Sequence, residues 1–253
     1  MTPVQRYEDL SPLLSAQLRR GVLTNCFLGR EALEGLIQNG ALLVQTLPRG
    51  LLLAVERPGF FRLHFYLTEL PSPLALELPG PVVCEIPFRP RDTGLREAVH
   101  YLEGQGFFQK LSRVRLGRPG GEVPEVDFPL DAPREGERTE LLAFLRAHFD
   151  PLTGCLPTRE ELSKCLCRKA DGALSGLIHF TNTRRGGEIR HLALRPQDRG
   201  RGLSRALIAG CLRALEGGAC TVWTGADNRP ALGAYQSMGF QADGWRSAVL
   251  IRP

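Results

Sequence analysis

The sequence lacks any hydrophobic run that approaches the roughly 18 apolar residues of a membrane-spanning helix. Its first residues include acidic side chains where a signal peptide needs a basic start and an unbroken apolar stretch. The seven cysteines are odd in number and never show the paired C-x-x-C spacing of a zinc site. These absences predict a cytoplasmic protein with free thiols, no membrane partner and no bound metal.

The chain has 253 residues, of which 43% are hydrophobic and 23% charged, as is usual for soluble globular proteins. This length favours two modest domains over one, and it leaves a monomer or a homodimer open. The net charge of +5 fits an anionic partner, either nucleic acid or a phosphorylated cofactor. Because arginines cluster beside a glycine loop and form no long basic run, the pattern favours a compact polyphosphate and no nucleic acid.

The organisation of the chain is indicated by a stretch rich in Pro, Gly and Glu at residues 117–138, which predicts a linker. Residues 1–116 contain short β-rich runs and one clear helical pattern, so this half is mixed α and β. Residues 139–253 read as helix, helix, strands, helix, strand, helix and strand. The second of these helices is predicted from the capping-box spacing of Thr158 and Glu161.

A weak internal repeat relates the two halves. A shift of 133 positions aligns three identical pairs: Ala98 with Ala231, Gly106 with Gly239, and Phe107 with Phe240. The same shift places Leu102 opposite Tyr235, and no glycine-arginine loop precedes the N-terminal helix. The pattern predicts that the first copy, if it is one, has lost its chemistry.

The segment QDRGRGLS, residues 197–204, lies between a predicted strand and a predicted amphipathic helix. Main-chain N–H groups at such a helix start bind anions, and Gly200 and Gly202 allow a phosphate to approach closely. Positive charge in and after the loop comes from three side chains: Arg199, Arg201 and Arg205. A Walker loop needs Lys-Ser/Thr, and a dinucleotide loop needs a third glycine, so ATP and NAD are disfavoured. A glycine-tolerant helix start with solvated arginines is the alternative.

The sequence LALRPQDRGRG, residues 192–202, resembles the cofactor signature of the GNAT superfamily of acyl-CoA N-acyltransferases. A second pattern of that family, Asn-x-x-Ala-x-x-x-Tyr-x-x-x-Gly-Phe, is intact here: Asn228, Ala231, Tyr235, Gly239 and Phe240. The resemblance implies an α+β fold in which helices flank a central, mostly antiparallel sheet. It also implies tandem domains, with a degenerate copy at 1–116, a catalytic copy at 139–253, and acetyl-CoA as co-substrate.

The resemblance further implies which residues bind coenzyme A, through side chains or the main chain. The predicted cofactor-binding residues are Leu192, Leu194, Gln197, Asp198, Arg199, Gly200, Arg201, Gly202, Leu203, Ser204, Arg205, Asn228 and Tyr235. Among them, main-chain N–H groups around Leu194 are expected to polarise the thioester carbonyl, as an oxyanion hole does.

Catalysis requires a neutral amine, and since an alkyl ammonium has a pKa of about 10.4, a base would assist. Glu188 opens the strand EIRHLAL where family members with a glutamate base carry theirs, and His191 is the second candidate. Tyr235 is the implied acid for the departing thiolate. The alternatives are a solvated carboxylate for Glu188, a packed histidine for His191 and a packed tyrosine for Tyr235.

The acceptor is expected between residues 148–162 and residues 242–250, the segments that hold it in the family. Four side chains there are weak candidates for the pocket, although turns and sheet packing explain each of them as well: Thr153, Cys155, Trp245 and Ser247. The predicted acceptor is the primary amine of a small molecule or amino acid. A protein or peptide amine, and a non-catalytic CoA-binding regulator, are the alternatives.

Overall fold

The computed structural model describes residues 1–253 except 19–21, 72, 127, 160, 163, 171 and 184–185. The chain divides into two compact units, and each combines helices with a mostly antiparallel sheet. The first unit contains Met1–Ser112 and Arg246–Pro253, and the second contains Arg113–Trp245. The mixed α and β class predicted from the sequence is confirmed.

The elements of the first half begin with short strands and helices and continue into a meander of longer strands. The helices are α1 (Tyr7–Leu18), α2 (Arg30–Gln38) and α3 (Thr93–Gly104). The strands are β1 (Thr2–Pro3), β2 (Leu23–Thr24), β3 (Leu42–Leu47), β4 (Gly50–Arg57), β5 (Phe60–Leu67), β6 (Val82–Phe88) and β7 (Phe108–Arg118). Alternating and continuous runs of Leu, Val and Phe bury these strands in the core of the unit.

The elements of the second half follow the predicted order except for one helix. The helices are α4 (Arg138–His148), α5 (Leu203–Ala214) and α6 (Arg229–Gln236). The strands are β8 (Cys165–Ala170), β9 (Ala173–Thr183), β10 (Gly186–Leu194), β11 (Cys220–Gly225) and β12 (Gln241–Arg252). None of the helices described in this chain is long and apolar enough to cross a membrane.

The strand order of the first unit is β1, β3, β4, β5, β6 and then residues 246–252 of β12, with β2 beside β5. The second unit has residues 113–118 of β7 followed by β11, β10, β9 and β8. Pairing is antiparallel apart from β5 with β6 in the first unit and β10 with β11 in the second. Each unit therefore contains one parallel pair in an antiparallel sheet.

Strands β7 and β12 are both divided between the units. Residues 113–118 of β7 pair with β11 in the second unit, and residues 246–252 of β12 pair with β6 in the first. Each half of the chain thus contributes one strand segment to the unit formed mainly by the other half. The division into units is based on contacts, and the exchanged strand segments determine where it falls. The predicted domain ranges of 1–116 and 139–253 therefore stay a prediction.

A helix is predicted to start at Thr158, but the described residues there form turns. Its capping hydrogen bonds are present, because Thr158 N–H donates to Glu161 Oε2 at 2.8 Å and Glu161 N–H donates to Thr158 Oγ1 at 3.4 Å. They stabilise a turn, and β8 already begins at Cys165, which leaves room for at most about two helical turns. Residues 160 and 163 of this stretch lie outside the described residues.

The predicted linker contains little regular structure between β7 and α4. Its described residues pack against the core of the second unit through partly buried apolar side chains: Val123, Val126, Phe128 and Leu130. At its end, Asp131 forms an isolated bridge with Cys167 of β8. The described part of this segment therefore packs along the surface of the core of the second unit.

Candidate functional site

A gap opens between the parallel strands β10 and β11. Residues 187–189 of β10 pair with residues 220–222 of β11, and no further pair joins the described parts of these strands. On its other edge β10 continues to pair with β9 as far as Leu194, and Arg195 N–H donates to Ser175 O at 2.8 Å. Since N–H directions alternate along a strand, the N–H groups of Leu192 and Leu194 face the gap.

A loop with free main-chain donors follows the open end of this gap. Gly200 and Gly202 have φ of +76° and +81°, and Gly202 is the N-cap of α5 without a capping side chain. In the described structure, the N–H groups of residues 200–205 donate to no main-chain carbonyl, and the first helical bond is Ala206 N–H to Gly202 O at 3.1 Å. The loop therefore offers a row of donors at the positive end of a helix dipole.

The space outside this loop is open to a ligand. A Cβ added to Gly200 or Gly202 would meet no atom within 4 Å. Three exposed basic side chains surround the donors: Arg199, Arg201 and Arg205. These residues fit a polyphosphate such as that of coenzyme A, because bare backbone donors and guanidinium groups are its preferred partners.

Asp198 supports the loop from within. Its Oδ2 atom accepts a hydrogen bond from Arg195 Nε at 2.7 Å, and its Oδ1 atom lies 3.7 Å from Arg201 Nη1. The hydrogen bond from Arg195 lowers the pKa of Asp198. Asp198 N–H also donates to Arg195 O at 2.9 Å. The carboxylate and the main-chain N–H of Asp198 both contact residues of the loop itself. Asp198 is therefore placed to support cofactor binding indirectly, by holding the loop.

The side chains of the remaining predicted cofactor-binding residues differ in their exposure to solvent. Leu203 is buried in the core, Ser204 is half-buried and Gln197 is exposed, so Leu203 has only its main chain to offer. Asn228 is exposed and caps α6, because its Oδ1 accepts from Ala231 N–H at 3.2 Å. The predicted contact of Asn228 with the pantetheine arm stays a prediction.

Tyr235 lies in the core of the second unit, with 4% of its surface exposed. Its ring meets Phe240 edge-on, with 5.6 Å between the ring centroids, in a cluster that includes Ile189 and Val222. Ile189 and Val222 are the last paired residues of β10 and β11. Burial raises the pKa of the Tyr235 phenol. Tyr235 is therefore a protonated phenol in the core cluster that surrounds the closed end of the gap.

Glu188 occupies the opposite face of the sheet. Side chains alternate along β10, and its neighbours Gly187 and Ile189 belong to the α5 side, where a Cβ on Gly187 would lie 2.2 Å from Leu215. Glu188 Oε1 is 2.9 Å from Arg190 Nη1, and the residue lines a groove of about 630 Å³. Glu188 and Tyr235 thus lie on the two sides of the sheet, and no hydrogen bond joins them among the described contacts.

His191 is packed between its neighbours. Its Nε2 lies 2.8 Å from Gly154 O, and its Nδ1 lies 3.1 Å from Nδ1 of His179, whose Nε2 is 3.1 Å from Glu161 O. Burial lowers the pKa of His191 to about 4. Both ring nitrogens of His191 have hydrogen-bond partners, so His191 is not placed to act as a base. Of the two candidate bases, this leaves Glu188.

Comparison with known proteins identifies the family. A sequence profile described as the Acetyltransferase (GNAT) family matches residues 128–240. Residues 128–240 are a GNAT acetyltransferase domain. A domain of this family supports acyl-CoA-dependent N-acyl transfer, as the resemblance implied, and members of the family use acetyl-CoA as co-substrate. A comparison with curated protein sequences gave no match.

Solved structures similar to this chain cover residues of both units. A GCN5-related N-acetyltransferase from Sphaerobacter thermophilus is 15% identical, with 96% of this chain and 92% of that chain covered, at a TM-score of 0.59. A GNAT-family acetyltransferase from Colwellia psychrerythraea is 13% identical, with coverage of 100% and 99%, at 0.57. A tandem GNAT protein from the clavulanic acid biosynthesis pathway is 11% identical, with 83% of each chain covered, at 0.52. These similarities show the fold and fit a tandem arrangement.

The first unit has a similar parallel pair of strands, but the gap beyond it is filled. Phe61 and Arg62 of β5 pair with β6, and beyond them Asn25 lies between the two strands. Asn25 Nδ2 donates to Leu63 O at 3.1 Å and to Glu85 O at 3.0 Å, and Asn25 Oδ1 accepts from Phe65 N–H at 2.8 Å. The buried Asn25 side chain thus pairs with main-chain groups of β5 and β6, whereas the corresponding N–H groups of β10 in the second unit remain free.

The weak acceptor candidates have structural contacts. Thr153 is buried and its Oγ1 donates to Asp150 Oδ1 at 3.2 Å, while Cys155 is half-buried with φ of +49°. Ser247 is buried in the first unit, where it donates to Glu85 Oε1 at 2.8 Å. Trp245 is half-buried and its ring lies 5.2 Å from the Arg115 guanidinium.

Among the groove residues beside Glu188, sequence reasoning missed Arg115 and Gly117, and it included Asp243 only as part of the segment 242–250. The first two lie on β7, next to or inside the predicted linker, and the third lies at the start of β12. Alternation of side chains along β7 was the only signal for the first two, and it did not reveal that β7 pairs with β11.

Proposed function

We propose that the GNAT domain transfers an acetyl group from acetyl-CoA to the primary amine of a small molecule or amino acid. One observation supports this most directly. The gap between β10 and β11 has the donor loop of residues 200–205 at its open end and the Glu188 carboxylate beside its closed end. Six residues of strand separate Glu188 from Leu194, which corresponds to about 20 Å. An extended cofactor arm can therefore run from the donor loop along this path, so that its thioester end meets the amine beside Glu188.

Binding of acetyl-CoA would use the main chain more than side chains. The N–H groups of residues 200–205 would hold the pyrophosphate, and exposed arginines around the loop would balance its charge. The N–H groups of Leu192 and Leu194 would bind the arm and the thioester oxygen within the gap. When bound, acetyl-CoA supplies an acyl group already activated as a thioester.

Glu188 would accept a proton from the acceptor ammonium and so release the nucleophilic amine. The N–H of Leu192, the free donor in the gap that is nearer to Glu188, would stabilise negative charge on the carbonyl oxygen as the amine attacks. Tyr235 would donate a hydrogen bond, and then a proton, toward sulfur as the carbon–sulfur bond breaks. Its raised pKa keeps the phenol protonated until that moment.

The size of the groove favours a small acceptor over a protein. Its volume of about 630 Å³ lies within the range of roughly 300–1,000 Å³ typical of small-molecule sites. A peptide amine is the second candidate, because the groove is open to solvent along part of its length.

The test combines binding and turnover. Calorimetry should show that acetyl-CoA binds, and a panel of amines should release free thiol from it. Replacement of the base, Glu188→Gln, should lower turnover at least tenfold and leave acetyl-CoA binding intact, whereas the exposed control Glu56→Gln should change neither. Binding without thiol release for any amine would instead support a non-catalytic CoA-binding module, and turnover of peptides alone would reassign the acceptor.

A further inference from the structure

The groove beside Glu188 has a floor without large side chains. Across the sheet, Glu188 of β10 pairs with Thr221 of β11, and Thr221 pairs with Gly117 of β7. The neighbouring row on the same face contains Trp223 of β11 beside Arg115 of β7. The short residues Thr221 and Gly117 thus leave an open space between the carboxylate of Glu188 and the guanidinium of Arg115, both of which line the groove.

Arg115 is a fixed cation at one side of this space. Its Nε donates to Asp243 Oδ2 at 2.7 Å, and its guanidinium lies 5.9 Å from the Trp223 ring and 5.2 Å from the Trp245 ring. Within the described part of the chain, its terminal amino groups make no other hydrogen bond. A guanidinium held by two aromatic rings and one carboxylate is preorganised to bind a further carboxylate through its remaining N–H groups.

Glu188 supplies the opposite charge on the other side. The two residues lie two strands and two positions apart, which places their Cα atoms about 12 Å from each other. Both side chains are long and line the same groove, so the space between their charged ends suits a molecule of amino-acid size. Asp243 and Arg118 also line the groove, and the Asp243 carboxylate accepts from Arg115 Nε. The Glu188 carboxylate and the remaining N–H groups of Arg115 are together complementary to a zwitterion.

We infer that the acceptor is a free amino acid, whose ammonium group binds at Glu188 and whose carboxylate binds at Arg115. This inference rests on the proposed function and names its substrate class. Asp243 is a positioning residue that holds Arg115. In the transfer, the amine nitrogen forms the amide bond while the carbon–sulfur bond breaks. Of the three ammonium protons, one stays on the amide, one ends on the thiol, and one passes through Glu188 to water.

Other amines fit the groove less well. A diamine would offer no anion to the remaining N–H groups of Arg115, and a lysine side chain within a peptide carries no carboxylate near its ammonium. The N-acetyl product keeps its carboxylate and loses its positive charge, so its interaction with Glu188 is lost and its release is favoured.

The experiment compares amino acids with the amines that lack only the carboxylate. Purified full-length protein and acetyl-CoA are incubated with glycine, phenylalanine or lysine, and in parallel with methylamine, phenethylamine or cadaverine, and thiol release is followed. At least one amino acid is expected to exceed its matched amine by tenfold or more in kcat/KM. In Arg115→Gln this ratio should fall to near one, chiefly through a higher KM for the amino acid.

Two further variants serve as controls. Arg252 also lies over an aromatic ring, that of Phe107 in the first unit at 5.5 Å, so Arg252→Gln should keep the wild-type ratio. A Cβ on Gly117 would meet only Asp243 atoms at 3.7 and 4.0 Å, so Gly117→Val should fold, fill the groove floor and raise the acceptor KM. Calorimetry should show wild-type acetyl-CoA binding in Arg115→Gln and Gly117→Val.

The outcomes separate the inference from the proposed function. Equal turnover of amino acids and their matched amines in the wild-type protein would overturn the amino-acid assignment and leave acetyl transfer standing. A ratio that persists in Arg115→Gln would overturn the role of Arg115. Acetyl-CoA binding without thiol release from any amine would reject the proposed function, and the inference with it.

Discussion

The main-chain carbonyls of Leu102 and Tyr235 accept equivalent pairs of hydrogen bonds at the ends of α3 and α6. Leu102 O accepts from the N–H of residues 105 and 107 at 2.9 and 3.1 Å, and Tyr235 O accepts from residues 238 and 240 at 3.0 and 3.2 Å. Each turn continues through a glycine with φ of +84°, Gly106 or Gly239, into a buried phenylalanine. The turn is therefore common to both units, while the phenol hydroxyl occurs only in the second.

The first prediction concerns this hydroxyl. Tyr235→Phe should lower turnover roughly tenfold or more, because a proton toward sulfur matters as charge develops, whereas the Kd for acetyl-CoA should change little. Packing against Phe240 would survive the change. Tyr101→Phe, which removes a hydroxyl bonded to Pro71 O in the first unit, is the matched control. Single-turnover rates and calorimetry decide, and an unchanged rate would mean that Tyr235 only packs.

The second prediction concerns the donor loop. Gly200→Val combined with Gly202→Val should weaken acetyl-CoA binding at least tenfold, because both positions have left-handed φ and the added side chains would project into open space beside the donors. Gly35→Ala is the control, since it lies inside α2 with nothing within 4 Å of the added Cβ. Calorimetric Kd values provide the measurement. Wild-type affinity in the double variant would remove the loop from the binding site.

The third prediction concerns Asn25. Asn25→Ala should lower the free energy of unfolding by about 3 kcal/mol or more, because it leaves two carbonyls and one N–H group buried without partners. Asn39→Ala, at the exposed C-cap of α2, should have a small effect. Urea denaturation measures the loss, and calorimetry should show one acetyl-CoA per chain in the wild-type protein. Two bound molecules per chain would contradict the view that Asn25 fills the first gap.

The fourth prediction concerns pH and His64. This ring is 8% exposed, its Nδ1 has no hydrogen-bond partner among the described residues, and burial lowers its pKa to about 3. The unfolded chain binds the proton near pH 6.5, whereas the folded chain does not until about pH 3. The free energy of unfolding should therefore decrease by up to about 1.4 kcal/mol for each unit by which the pH falls from 6.5 to about 3.

The variant His64→Phe should reduce this slope in urea denaturation curves taken from pH 7 to pH 4. The exposed His100→Phe should keep it. Part of the slope should remain in His64→Phe, because burial also lowers the pKa of His179 and of His191 to about 4. Identical slopes in His64→Phe and the wild type would show that His64 is not buried in its neutral form.

Local sequence signals predicted much of the second unit and less of its groove. The apolar periodicity of α5, the glycines of the loop and the strand pattern of β10 depend on neighbouring residues, so they could be read directly. The capping box at Thr158 misled because it specifies a turn and cannot specify how long a helix continues. The pairing of Arg115 with Asp243, and the filling of a gap by Asn25, depend on strand contacts between residues distant in sequence.

The exchange of strand segments has a consequence for how the chain folds during its synthesis. The edge of β6 pairs with residues 246–252, which leave the ribosome only after the whole of Arg113–Trp245. The first unit therefore remains an unfinished sheet with an exposed edge while the second is being made, although domains usually fold as they emerge. A nascent chain stalled before residue 246 would present that edge to chaperones and to other nascent chains, so the first unit is complete only after residues 246–252 have emerged.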